Sequence, residues 1–321
     1  MSKDTNIIDL LSDTIARRFP RRFQTSTTES EVLDLEARRQ HDTSEDEALS
    51  AECSSVQMSP GEVWEAVNDD RLVVHYQPQY DMHSGKTIAA EALVRLIDAD
   101  GQLVYPDRFI GAVENRDLIV PLGREVIEHV CVDLARCRNL GLPIQRIAIN
   151  LSAHQLIADT GLLLFIDETV TRHGLRHSDL EFELTERHGL QPDCEGHAVL
   201  DALAQRGARI VIDDFGVGYS SVIYLAELPV AAFKLDRSLV ARVQQETPAR
   251  KLVENLLALA DNMGLDVVAE GVETKEQGDY LKASGCPLAQ GFGYARPMLV
   301  DELMEFVVGE TARTERSGAL A

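Results

Sequence analysis

Short apolar runs in this chain end repeatedly on a carboxylate or an amide: Ala89-Ala90-Glu91, Ile147-Ala148-Ile149-Asn150, Leu180-Glu181-Phe182-Glu183, Ile210-Val211-Ile212-Asp213-Asp214 and Val267-Val268-Ala269-Glu270. A buried strand gains nothing by finishing on an acid. Several that do so suggest strand ends converging on one charged site. Crowded carboxylates repel one another and resist losing water, so something must neutralise them, and a divalent cation, or two, is the simplest candidate. The set Glu91, Asn150, Glu183, Asp213, Asp214, Lys234, Glu270, Glu273 and Gln290 offers hard oxygen donors with no Cys or His motif among them. That chemistry suits Mg²⁺ or Mn²⁺ better than zinc. At a strand end the chain is turning, so adjacent Asp213 and Asp214 can both reach inward, one of them bridging two cations. Two cations roughly 3.5–4 Å apart suit hydrolysis of a phosphate ester. Lys234 ends its own run, Ala232-Phe233-Lys234, where a fixed positive charge can orient water or stabilise a developing oxyanion.

These residues need a scaffold that gathers strand ends. Strands are expected near 72–79, 87–95, 145–151, 179–185, 209–214, 231–235, 266–270 and 288–293, with helices near 121–138, 160–173, 195–206, 248–263 and 274–284. Ser59-Pro60-Gly61-Glu62 reads as a capping box that starts the folded part, and Thr274 with Gln277 reads as a second one. Gly207 and Gly264 are helix stops. Strands alternating with helices over roughly 250 residues predict a (β/α)8 barrel, whose active site forms at the C-terminal strand ends. A doubly wound open sheet is the alternative; it calls for a glycine fingerprint after the first strand, and Tyr76-Gln77-Pro78 is not one.

Eight stretches now come together in order: Tyr76-Gln77-Pro78, Glu91-Ala92-Leu93-Val94-Arg95, Asn150-Leu151-Ser152, Glu183-Leu184-Thr185-Glu186, Asp213-Asp214-Phe215-Gly216-Val217-Gly218-Tyr219-Ser220-Ser221, Lys234-Leu235-Asp236, Glu270-Gly271-Val272-Glu273-Thr274 and Gln290-Gly291. Over residues from about 60 to 308 the chain resembles the EAL-domain family of cyclic di-GMP phosphodiesterases. The resemblance implies a barrel whose first strand runs antiparallel to the rest, and hydrolysis of cyclic di-GMP to linear pGpG with two Mg²⁺ or Mn²⁺ ions. It implies that Glu91, Asn150, Glu183 and Asp213 hold one metal, and that Asp213 and Asp214, with help from Glu270, hold the other. It gives Lys234 and Glu270 the task of positioning or activating water, with Glu273 and Gln290 in support. Arg95 corresponds to a phosphate-binding arginine, and Gln77, Leu93, Asp236 and Gln290 to substrate-side positions. Glu186 corresponds to an anchor for the 215–221 loop, through which a homodimer is implied. Val217 stands where many active members carry Thr, and Leu96 where Trp is common. The main alternative is a catalytically weak cyclic di-GMP receptor or protein-interaction module on the same fold; an enolase-like lyase is a more distant one.

The formal net charge of −22 excludes a general nucleic-acid binder, which needs a basic face. No stretch approaches the roughly 20 apolar residues of a membrane span. No apolar signal core opens the chain, and the odd set Cys53, Cys131, Cys137, Cys194 and Cys286 lacks Cys-x-x-Cys spacing, so reduced cysteines and a cytoplasmic location are expected. Three segments are expected: an arm over 1–58, the barrel over 59–308 and a tail over 309–321. The arm places Ile8, Leu11 and Ile15 on one helical face before Arg17, Arg18, Arg21 and Arg22, a pattern open to either a solvated tail or a docking segment for a protein partner.

Overall fold

A computed structural model describes residues 57–114, 118–185, 195–216 and 225–318. The 1–58 arm apart from its last two residues, Glu186, and the 215–221 loop beyond Gly216 lie outside the described residues.

The first helix, α1 (Pro60–Asn68), starts as its sequence dictates. The Ser59 hydroxyl accepts from the Glu62 amide, the Glu62 carboxylate accepts from the Ser59 amide at 2.7 Å, and Pro60 occupies the first turn. Two long strands follow, β1 (Leu72–Asp81) and β2 (Lys86–Ile97), paired antiparallel with Gln77 opposite Glu91. A two-residue strand, β3 (Leu103–Val104), pairs with the far end of β2 and stands outside the ring. Helices α2 (Ile110–Val113) and α3 (Ile119–Asn139) lead to β4 (Arg146–Asn150). Then come α4 (Ala153–Ala158), α5 (Leu162–Arg172), β5 (Leu180–Thr185), α6 (Glu195–Gln205), β6 (Arg209–Phe215) and β7 (Val230–Leu235). The chain closes with α7 (Arg237–Arg242), α8 (Thr247–Met263), β8 (Asp266–Ala269), α9 (Lys275–Ala283), β9 (Leu288–Ala289) and α10 (Val300–Gly318).

Strands β2, β4, β5, β6, β7, β8 and β9 pair in parallel in that order. β1 is inserted antiparallel between β9 and β2 and closes an eight-strand barrel. The expected architecture, including the reversed first strand, is therefore present. β9 is shorter than the expected 288–293 run, because the chain turns at Gln290 towards the barrel mouth, where its backbone N–H still donates to Ala269 at 2.8 Å. Helices α2, α4, α7 and α10 were not anticipated; the first three are four to six residues each, too short to show a periodic apolar face. α10 continues helically through 309–318, which the sequence reading sets aside as a tail.

Alternation along a strand separates what faces the barrel interior from what faces the helices. Tyr76 points outward and donates its hydroxyl to Asp133 on α3 at 2.8 Å, so Gln77 and Gln79 point inward. On β5, Phe182 is buried between sheet and helices while Glu181 and Glu183 both point into the barrel. Glu181 sits at the N-terminal end of the barrel, where its carboxylate accepts from Arg146 and Arg209, each at 3.0 Å. Arg209 reaches Asp266 as well, at 2.6 Å. The bottom of the barrel is thus closed by matched ion pairs. Cys131, Cys137 and Cys286 are buried free thiols, and burial pushes each up to about 12, which keeps them unreactive.

Candidate active site

Glu91 on β2, Glu183 on β5, Asp213 on β6 and Glu270 just after β8 converge at the C-terminal end of the barrel. The Lys234 ammonium, on β7, stands among them at 3.1 Å from Glu91, 2.9 Å from Glu183, 3.3 Å from Asp213 and 2.5 Å from Glu270. The lysine is 1% exposed. Asn150, at the end of β4, donates to the other oxygen of Glu91 at 3.0 Å. Gln290 donates to Glu91 at 2.6 Å and to Glu270 at 3.4 Å. The parallel register makes this gathering automatic, because Asn150 lies opposite Glu183 and Thr185 opposite Asp213.

One ammonium among four carboxyl groups sets the protonation pattern. Burial pushes Lys234 down, but Asp213, Glu183, Glu270 and Glu91 together hold it well above its ordinary value. Burial, then the charges of Glu91 and Asp213, push Glu183 well above the usual carboxylate range. Glu270 is pushed up to about 8 by burial, against the pull of Lys234. Glu91 goes the other way: burial raises it, but Lys234 and the hydrogen bonds from Gln290 and Asn150 outweigh that and hold it below its ordinary value.

Asp214 follows at φ 56°, in the left-handed region. That turn lets consecutive carboxylates share one side of the chain end, as the sequence reading required; the Asp214 amide donates to Asp213 at 2.9 Å. Burial, Asp213 and Asp236 raise Asp214 above its ordinary value. Carboxylate oxygens of Asp213, Asp214 and Glu270 lie within 4.8 Å of one another. One oxygen of Glu183 is fully buried with no hydrogen-bond partner. A buried carboxylate oxygen without a partner beside an acidic trio is a donor set that fits a divalent metal.

The remaining predicted residues are placed as follows. Leu93 lines a cavity of about 390 Å³ that Glu91, Asn150 and Glu183 also line. Arg95 is buried, lies over the Tyr105 ring at 4.8 Å, donates to the Val94 carbonyl at 2.8 Å, and keeps a buried Nε without a partner. Gln77 donates to the Ala295 carbonyl at 3.2 Å. Gln290, read both as a support of the inner acids and as a substrate-side position, donates to Glu91 and Glu270. Asp236 caps α7 by accepting from the Ser238 amide at 2.8 Å. Glu273 is exposed, and its backbone N–H donates to Gln277 at 2.8 Å. Gln79 was missed. It is fully buried and donates to the Gln290 carbonyl oxygen at 3.1 Å, fixing the amide that orients two acids. The signal was present in the i, i+2 spacing of Gln77 and Gln79, which puts both on the inner face of β1.

The EAL domain family profile matches residues 61–297 of the chain. The chain belongs to the EAL domain family. This EAL domain is 35% identical over 243 residues to MucR of Pseudomonas aeruginosa, a bifunctional diguanylate cyclase/cyclic di-GMP phosphodiesterase, covering 76% of the chain and 35% of MucR. It is 36% identical over 233 residues to the cyclic di-GMP phosphodiesterase PdeR of Escherichia coli, covering 73% of the chain and 35% of PdeR. The solved MucR phosphodiesterase in complex with c-di-GMP superposes with a TM-score of 0.70 at 34% identity, covering 76% of this chain and 98% of that one. The chain spans about a third of the length of the curated relatives it matches. No helix among the described residues is long and apolar enough to cross a membrane.

Proposed function

We propose that this EAL domain hydrolyses cyclic di-GMP to linear pGpG and so lowers the level of that second messenger. The observation that carries the reading is the surplus of carboxyl groups over the single buried ammonium, together with the orphaned oxygen of Glu183. Glu91, Asn150, Glu183 and Asp213 would hold one Mg²⁺ or Mn²⁺, and Asp213, Asp214 and Glu270 the second. Bound there, such ions supply Lewis acidity towards the diester and lower the pKa of water.

The chain's own residues do the rest. Arg95 has a buried Nε free to meet a phosphate oxygen, and its ring contact with Tyr105 holds the guanidinium plane. Lys234 fixes the directions of Glu91, Glu183 and Glu270. Glu270, with Lys234 at 2.5 Å, would take a proton from attacking water. Gln79 and Gln290 lock Glu91 and Glu270 in register, so the acids need no reorganisation during the reaction.

The test is incubation of purified protein with cyclic di-GMP and Mg²⁺ or Mn²⁺, with chromatography of the products. Metal-dependent pGpG is expected, lost in Glu91→Gln and Asp213→Asn. Tight binding with no turnover under either metal at neutral and alkaline pH would make the domain a receptor. Neither binding nor turnover overturns the assignment.

A further inference from the structure

Gln79 lies on the inner face of β1 and is 0% exposed. Among the described residues its side chain makes a single hydrogen bond, from Nε2 to Gln290 Oε1 at 3.1 Å. Its own Oε1 is buried without any partner. Sealed from solvent, the side chain meets no ligand, so binding does not account for an amide here. A buried acceptor left unpaired is costly, and an apolar side chain of the same length avoids that cost. What the position supplies is therefore the donor end.

Glu91 dictates the direction of the row. One of its oxygens accepts from Asn150 at 3.0 Å; the other accepts from Lys234 at 3.1 Å and from Gln290 Nε2 at 2.6 Å. An ionised carboxylate only accepts, so Gln290 presents its NH2 end and turns its oxygen towards β1. Gln79 must donate to that oxygen, and the unpaired oxygen of Gln79 is where the row ends. The Gln290 backbone is pinned on both sides: its N–H donates to Ala269 at 2.8 Å, its carbonyl accepts from Val272 at 3.1 Å, and a Cβ at Gly291 would stand 2.2 Å from the Val272 nitrogen. The freedom left is rotation of the amide about its last bond, a soft two-fold torsion. An amide oxygen is a ligand for hard cations, so a Gln290 free to turn divides between offering NH2 to Glu91 and offering oxygen to a bound ion.

We propose that Gln79 is a positioning residue of the acidic site: by occupying Gln290 Oε1 it decides which end of that amide faces Glu91 and Glu270. It thereby sets the affinity of the site for a divalent ion and the fraction of protein arranged for turnover. The inference rests on the phosphodiesterase reading above and extends it to a residue that makes no hydrogen bond to any of the acids. The control is worth one neutral hydrogen bond, about five-fold in that fraction.

The test is a double-mutant cycle of Gln79→Met, Gln290→Met and the pair. It is read by melting in EDTA, by Mn²⁺ calorimetry, and by kcat and KM for cyclic di-GMP at saturating Mn²⁺. Gln79→Met removes one unpaired oxygen and strands another, Gln290 Oε1, so it is expected to melt within about 4 °C of wild type. Its Kd for Mn²⁺ is expected to rise and its kcat to fall, each about five-fold, with KM held within about two-fold. Adding Gln79→Met to Gln290→Met is expected to change neither further, because no amide is left to orient. Wild-type Kd and kcat in Gln79→Met, or losses that multiply in the pair, overturn the proposal. So does a fall of more than about 10 °C in melting temperature, which makes Gln79 a structural residue. If wild type binds Mn²⁺ and leaves cyclic di-GMP intact, the phosphodiesterase reading falls and the Mn²⁺ arm of the cycle decides this one; if it binds no Mn²⁺, both fall.

Discussion

Replacing Lys234 by Met tests the electrostatic core of the site. Met is unbranched and of comparable length, so it fills the volume without the charge. The ammonium it removes lies within 3.3 Å of four carboxyl groups and is 1% exposed. Breaking a buried ion pair from one side costs about 3–5 kcal/mol, because the partner charge stays buried. Here the figure belongs at the lower end near neutral pH, since burial already favours the protonated form of Glu183 and Glu270. About 3 kcal/mol corresponds to a fall of about 6–12 °C in melting temperature for a domain of this size. Without the ammonium Glu183 and Glu270, already raised by burial, lose the charge that pulls them down and move up further. Their folded-state values are then raised above the unfolded ones, so the folded variant holds extra protons and loses stability as pH rises.

The assay is thermal melting in EDTA at pH 6 and pH 8.5, then with Mn²⁺ added. The gap between wild type and Lys234→Met is expected to be wider at pH 8.5, and Mn²⁺ is expected to raise the variant's melting temperature more than wild type's. Hydrolysis of cyclic di-GMP is expected to be lost. A gap that is absent in EDTA, or that narrows with pH, refutes the account of Lys234 as the group that holds these acids together.

Glu183→Gln is expected to melt within about 2 °C of wild type in EDTA, under about 1 kcal/mol, because burial already favours the neutral form of the acid, while the Mn²⁺-dependent gain in melting temperature and the turnover disappear. Because Glu270 is pushed up to about 8 and Glu183 is raised as well, cation binding must expel protons, so calorimetry in buffers of different ionisation enthalpy is expected to show more proton release at pH 7 than at pH 9.5, and affinity rising between them. Asp214→Gly is expected to be more stable in EDTA than Asp214→Ala by about 1 kcal/mol, the cost of a left-handed backbone for a residue with a Cβ, at the φ of 56° seen here. Glu181→Gln strips the shared partner from Arg146 and Arg209 and is expected to cost about 2–3 kcal/mol, a loss that melting with and without Mn²⁺ is expected to show as independent of metal.

The barrel was legible because its strands are short apolar runs punctuated by glycine stops and capping residues, and because strand ends that carry acids have only one place to meet. Ser59 with Glu62 and Thr274 with Gln277 form capping boxes whose atoms are fixed by four consecutive residues. What depends on contacts between distant segments was not legible. Gln290 sits 199 residues from Glu91; the resemblance puts it in support of the inner acids, but nothing near it in sequence names the acid its amide meets. Asp236 corresponds by resemblance to a substrate-side position, and its carboxylate also accepts from the Ser238 amide.

Glu181 and Glu183 show why composition alone could not separate scaffold from site. They stand two residues apart on one strand, on one face, both 1% exposed. The first meets two arginines, one of which is shared with Asp266, so acids and bases balance at two each. The second meets one lysine that Glu91, Asp213 and Glu270 also claim. A buried ion cluster with equal numbers of each sign satisfies itself and closes the barrel bottom. One with surplus acid must hold protons or gather cations, and Glu183, with an oxygen that nothing in the protein meets, is the member with most to gain from the exchange. The difference lies in the tally of opposite charges within a few ångströms, a quantity set by which strand ends the barrel brings together.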